Sequence, residues 1–246
     1  MSAYGRSSGL DHVMEVPGIG SFSFNDDTTD VIVVPEERAD DDAVRETFRR
    51  MVVPMALHVR GVEVLHASGV RREDGIIALS GTSGAGKSTL AYGLSARGGE
   101  LWADDVLAFT PGNSGVDVLP LPFRVRLLPD AAAALLGIDV HGTEKRTVGE
   151  LRDPRGVVHL MHVVVLEPGS SPEVVPVRPA TQALPLLLEH AFTFDVAQPG
   201  RIERTASTYA KLVARVPVHR VVVPPDPAAI DTVLDRIEAA LGAADP

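Results

Sequence analysis

One stretch constrains this chain more than any other: Ile76-Ile77-Ala78-Leu79-Ser80-Gly81-Thr82-Ser83-Gly84-Ala85-Gly86-Lys87-Ser88-Thr89-Leu90, an apolar run, a glycine-rich loop and the start of a helical pattern. It matches G-x-x-x-x-G-K-[ST] in the setting that pattern requires, a strand before it and a helix after it. Gly81, Gly84 and Gly86 permit a tight turn close to a ligand, so the loop N–H groups and the helix N-terminus point into one anion site. The residues expected to cradle nucleotide phosphates are Gly81, Thr82, Ser83, Gly84, Ala85, Gly86, Lys87, Ser88 and Thr89. Lys87 is the point charge for the β and γ phosphates, and the Ser88 hydroxyl is a Mg²⁺ ligand.

The surroundings of that stretch modify its meaning. Val62 to Val70 reads as a strand, and Arg71-Arg72-Glu73-Asp74-Gly75 turns it into the next one, so the loop-bearing strand has an antiparallel neighbour in a mixed sheet. Leu90, Leu94 and the alanines make the following helix, closed by Gly98-Gly99. Beyond it, Asp104-Asp105 sits inside the strand-like run Leu101 to Phe109, 17 positions after Lys87. An acidic pair in an apolar strand is costly unless it serves a metal or a proton transfer, the plainer alternative being an acidic edge or turn. If the strands are neighbours, the pair lies beside the loop.

Elsewhere the pattern is of ordinary elements. Residues 1–12 read as a flexible tail and 13–242 as a single domain, a size the 246 residues and 45% hydrophobic content support. Val13 to Phe24 and Val31 to Val34 alternate as antiparallel strands. Asp40-Asp41-Asp42 caps a helix over Ala43 to Met51, and Asp130 caps one over Ala131 to Leu136. Phe123 to Leu128 is a strand with Arg124 and Arg126 on one face. The charged segment from His141 to Gly156, with Lys145, Arg146, Arg152 and Arg155, suits a phosphate clamp or lid. Val157 to Leu166 and Val218 to Val223 are strands, and helices follow Thr181, Arg201 and Asp226.

A formal net charge of −10 with no basic block argues against binding a nucleic-acid backbone or an anionic membrane. The absence of cysteine excludes disulfide and thiolate chemistry. No apolar run reaches membrane-spanning length and the polar start is unlike a signal peptide, so a cytoplasmic location is expected.

Taken together, Leu65-His66-Ala67-Ser68, the loop Gly81 to Thr89 and Ala103-Asp104-Asp105 resemble the catalytic domain of the bacterial HPr kinase/phosphorylase family, in the branch lacking its N-terminal domain. The resemblance covers residues 55 to 110 well and the rest as a pattern. It implies an α/β fold of the mixed-sheet P-loop kinase type shared with phosphoenolpyruvate carboxykinases, using ATP and Mg²⁺. It also implies that Asp105 is the base on an acceptor hydroxyl, Asp104 serves the metal with Ser88, and His66 orients the acidic pair. Lys87 with Lys145 or Arg146 then neutralises the transferred phosphoryl. The family carries Glu where this chain has Thr89, and its later Mg²⁺-binding glutamate segment has only a faint echo in Glu150-Leu151-Arg152. The expected activity is phosphoryl transfer from ATP to a hydroxyl, on a protein or peptide serine. The alternatives are a small-molecule kinase of a biosynthetic pathway and a nucleotide-binding regulatory protein whose catalysis has decayed. The family also suggests a homo-oligomer.

Overall fold

In the computed structural model, which describes residues 3–137, 145–193 and 199–242, the alternation at Val13 to Phe24 builds a sheet, and the chain before it joins in. Strands β1 (Tyr4–Ser8), β2 (Asp11–Val16), β3 (Gly20–Asn25) and β4 (Val31–Pro35) form an antiparallel meander in that order. Much of the tail expected over 1–12 is therefore strand. β1 is exposed throughout and has no apolar period, so its backbone ladder with β2 and the polar contacts of Arg6 with Glu15 and Ser7 with His12 hold it in place. The sheet buries Met14, Val16, Phe22 and Phe24 against Val52, Ala56 and Val59.

Those last residues come from helices α1 (Asp41–Thr47) and α2 (Val53–Val59) and the π-helical turn Phe48–Val52 between them. The Asp40 carboxylate accepts the Ala43 N–H at 2.9 Å, the expected N-cap. The π-turn sits where Pro54 removes a helical donor, so the ladder must adjust there. Residues 3–64 with the described part of 192–207 form one compact unit. The described residues of 65–191 and 208–242 form a second, where a single domain was expected. The first unit has its own core, which accounts for the division.

The chain continues through β5 (Glu63–Leu65), β6 (Ala67–Arg72), β7 (Gly75–Gly81), α3 (Lys87–Ala96), β8 (Glu100–Ala103), β9 (Leu107–Pro111), β10 (Val116–Val118) and β11 (Phe123–Leu127). Then come α4 (Pro129–Leu136), β12 (Arg146–Arg152), β13 (Val158–Pro168), β14 (Glu173–Pro176), α5 (Ala180–Leu188), α6 (Pro199–Val213), β15 (Val218–Val223) and α7 (Ile230–Gly242). The first four residues of the expected clamp region, 141–144, lie outside the described residues. Asp130 falls in the first turn of α4, whose N-cap is Leu128 rather than the aspartate.

The second unit is a mixed α/β fold around a curled mixed sheet. Its strands run β9-β10-β13-β7-β6-β8, with β15 also on β13 and β14 on β15. β7 is parallel to β13 and antiparallel to β6, as the hairpin before the loop required. β7 is buried along its whole length, as is the middle of β13, Val163 to Leu166, so neither stretch shows a polar face. Period two divides their side chains: Ala78, Val163 and Val165 join Trp102, Phe109 and Tyr209 on one face, while Leu79, Val164 and Leu166 join Leu90, Leu94 and Leu234 on the other. No helix among the described residues is long and apolar enough to cross a membrane.

Candidate functional site

The apolar strand β7 ends in the glycine-rich loop, and α3 begins at Lys87. Two glycines are required by their geometry. At Gly81, φ +146°, an added Cβ would come within 2.8 Å of the Leu166 carbonyl oxygen, and Gly86 caps α3 in the left-handed region at φ +96°. Lys87 folds over its own loop, its Nζ donating to the carbonyls of Gly81 at 2.8 Å and Thr82 at 3.0 Å. Lys87 and Ser88 are buried.

The acidic pair meets this loop by a route that differs from the expected one. Asp104 and Asp105 lie in the break between β8 and β9, not in mid-strand, and β8 neighbours β6 rather than β7. An unbroken strand would send the two carboxylates to opposite faces. The break avoids this, with Asp105 in the left-handed region at φ +66°, a conformation costing roughly 1 kcal/mol that aspartate tolerates better than most residues. The intervening strand β6 supplies a bridge: Ser68 Oγ and Ser88 Oγ both donate to Asp104 Oδ1 at 2.7 Å. The Arg126 backbone N–H on β11 donates to Asp104 Oδ2 at 3.0 Å. Asp104 is thereby tied to the first turn of α3.

Asp105 faces a different set of groups. Lys145 Nζ lies 4.0 Å from its Oδ1, and the ring Nδ1 of His66 is 2.8 Å from its backbone oxygen, a donor's distance to a carbonyl. His66 breaks the strand expected over 62–70 into β5 and β6, and its own N–H donates to the His190 carbonyl at 2.8 Å. Arg146 is exposed at the start of β12, whereas Arg126 and Lys145 line a cleft of about 20 Å³ with Gly84, Gly86, Lys87, Ser88 and Thr89. Ser68, Arg126 and His190 are thus site residues that motif reading missed. Ser68 was visible only as the last letter of Leu65-His66-Ala67-Ser68, and His190 lies more than a hundred positions from the loop with no motif around it.

The electrostatics follow from burial. Burial, and then the charge of Lys145, brings the Lys87 ammonium down to about 8, against the attraction of both aspartates. Burial and then the Asp105 charge raise Asp104, an effect its three hydrogen bonds oppose. His66 and His190 are both held below the ordinary histidine value, by burial first and the Lys87 charge second. That places neutral imidazoles beside a cationic lysine at neutral pH. Asp104 and Ser88 offer hard oxygens, and two carboxylates side by side carry a repulsion that a divalent cation relieves, so the donor set fits Mg²⁺ completed by phosphate and water.

A larger cavity of about 560 Å³ opens at the opposite end of β7, around Gly75, His159 and Arg215. Size favours it and chemistry does not: it has no glycine-rich loop, helix N-terminus or clustered carboxylates. No known family matches the chain, and no curated protein is similar to it in sequence. Among solved structures, the HPr(Ser) kinase/phosphatase from Coxiella burnetii aligns with 73% of this chain and 98% of its own length, at 14% identity and a TM-score of 0.33.

Proposed function

We propose that this chain is an ATP-dependent phosphotransferase of the P-loop kinase type, with the mixed sheet of HPr kinases and phosphoenolpyruvate carboxykinases, moving the γ-phosphoryl of ATP to a hydroxyl. The observation that carries the reading is the 2.7 Å bond from Ser88 to Asp104, which draws the loop and the acidic pair into one site. A phosphate loop alone binds nucleotide. A carboxylate pair within reach of it adds a metal ligand and a base.

In this reading the triphosphate lies along Gly81 to Thr89, and Lys87 exchanges its two loop carbonyls for phosphate oxygens. Mg²⁺, when bound through Ser88 and Asp104, offsets negative charge on the phosphates. Asp105 accepts the proton of the acceptor hydroxyl as its oxygen bonds to the γ-phosphorus and the bond to the ADP oxygen breaks. Lys145, beside Asp105 and in the cleft, stabilises charge on the equatorial oxygens together with Lys87, and Arg146 stands next in sequence. His66 acts as a positioning residue: it holds the Asp105 backbone in a conformation that would otherwise relax.

The test is single-turnover transfer from labelled ATP to serine peptides and small alcohols by wild type and Asp105→Asn. Transfer by the wild type that is lost in the variant, with ATP binding retained, is the expected result. Equal rates in both proteins would remove the base assignment, and no ATP binding by either would remove the reading as a whole.

A further inference from the structure

The charge of the second unit is unevenly placed beside the site. Residues 123–127 and 145–155 hold six basic side chains, Arg124, Arg126, Lys145, Arg146, Arg152 and Arg155, against Glu150 and Asp153. This is a net of +4 in a chain of −10 overall. Among the described residues β12 pairs with β11 alone, and every position of it except Val148 is exposed. β11 cannot offer the same edge toward the site, since its Arg126 N–H is engaged by Asp104.

The bulge in β12 limits what such an edge can bind. The register shifts between Phe123 and Val125, and Gly149 is at φ +74°, so regular pairing is confined to Arg146–Val148 beside Leu127–Val125, with Arg152 alone at the far end. A partner lying here gains few ladder hydrogen bonds and must be held largely by charge. The end of β12 that remains regular is also the end next to Lys145, 4.0 Å from Asp105. Two exposed leucines, Leu128 and Leu151, give the surface an apolar component as well.

Resting on the phosphotransfer reading, we infer that the acceptor hydroxyl is presented on an extended acidic polypeptide segment laid along β12, with the hydroxyl beyond its Arg146 end at Lys145 and Asp105. Antiparallel alignment with β12 makes the acidic residues N-terminal to the acceptor serine. The repulsion expected between an acidic substrate and an acidic enzyme is offset locally, and the remaining negative surface disfavours docking elsewhere.

The experiment uses the full chain and three serine peptides of one length: acidic residues N-terminal to the serine, a neutral peptide, and a lysine-rich one. Binding is read by fluorescence anisotropy and transfer by mass shift, for wild type and for Arg152→Glu/Arg155→Glu. Several exposed ion pairs acting together predict about a tenfold tighter affinity for the acidic peptide than for the neutral one, falling with added salt. The double variant should lose that preference or turn it toward the lysine-rich peptide. Transfer to all three peptides with equal efficiency would overturn the inference and leave the kinase reading intact. Acidic-peptide preference without any ATP binding would remove the kinase reading and keep β12 as an acidic-peptide surface. Displacement of the acidic peptide by single-stranded RNA at equal concentration would overturn the assignment of its occupant.

Discussion

Each unit buries a cluster of charged side chains, and the two clusters differ in how their acids are placed. In the first unit Glu63 is fully buried, with the Thr205 hydroxyl donating to both of its oxygens at 3.1 Å, His58 Nδ1 at 3.2 Å and Arg204 Nε at 3.6 Å. In the same unit, Asp26 is held by Arg201 at 3.1 Å and by His12, whose other ring nitrogen meets Ser7. Here each acid sits among donors and opposite charge. In the second unit two acids stand side by side, and Lys87 spends its ammonium on backbone carbonyls instead of either carboxylate. Burying charge is therefore not in itself a sign of function. Leaving like charges adjacent in a buried place is the stronger signal, because a bound cation would relieve their repulsion.

That contrast can be broken in a definite order. Asp105→Asn should lower phosphoryl transfer by about 10² to 10⁴-fold while leaving the urea midpoint unchanged or raised, since a repelling charge beside Asp104 is removed. Glu63→Ala should do the reverse. It strands His58 and Arg204 without their acid and costs about 3 kcal/mol in urea unfolding, with ATP affinity per folded molecule unaltered. If Asp105→Asn unfolds the protein and Glu63→Ala only slows it, the two clusters have been assigned the wrong way round.

Lys87 sharpens the comparison through pH. Its ammonium titrates at about 8 in the free protein instead of the ordinary 10.5, so protonation is disfavoured by folding. Between those values the unfolded chain holds the extra proton, and this group contributes stability that grows as pH rises. Triphosphate binding favours the charged form, so above pH 8 it should take up a proton. Calorimetry at pH 8.5 in two buffers of different ionisation heat should give different apparent enthalpies in the wild type and equal ones in Lys87→Ala. The smallest effect belongs to the exterior. Arg97 at the end of α3 reaches Asp231, Asp235 and Glu238 of α7, three acids of which two are well exposed. Arg97→Ala should cost no more than about 1 kcal/mol, less at high salt, in the same unfolding assay.

The sequence made much of the second unit readable. The β6–β7 hairpin, the loop and α3 follow from period and glycine placement, because every local signal there points to the same structure. β1 was unreadable because Tyr4-Gly5-Arg6-Ser7-Ser8 has no apolar alternation and is a strand only through its neighbour. The second core was missed because no linker marks it: the chain leaves the first unit and returns to it at residue 192. At the site, Lys87, Ser88 and the acidic pair could be named from spacing. The break that turns both carboxylates inward could not, since it depends on Ser68, Arg126 and His66, which come from segments distant in sequence. Arg146, grouped with Lys145 by adjacency, lies on the exposed strand β12, and Arg126 takes the place beside the loop.

The backbone at Asp105 has a consequence for how this protein can change over generations. A left-handed position that excludes β-branched side chains accepts asparagine and glycine almost as readily as aspartate. Aspartate becomes asparagine or glycine by a single nucleotide change, and both fit the left-handed backbone at this position. Under the proposed phosphotransfer, either change would remove the base and leave Gly81 to Thr89 intact, so that a phosphotransferase and a nucleotide-responsive binding protein would stand one mutational step apart on the same scaffold.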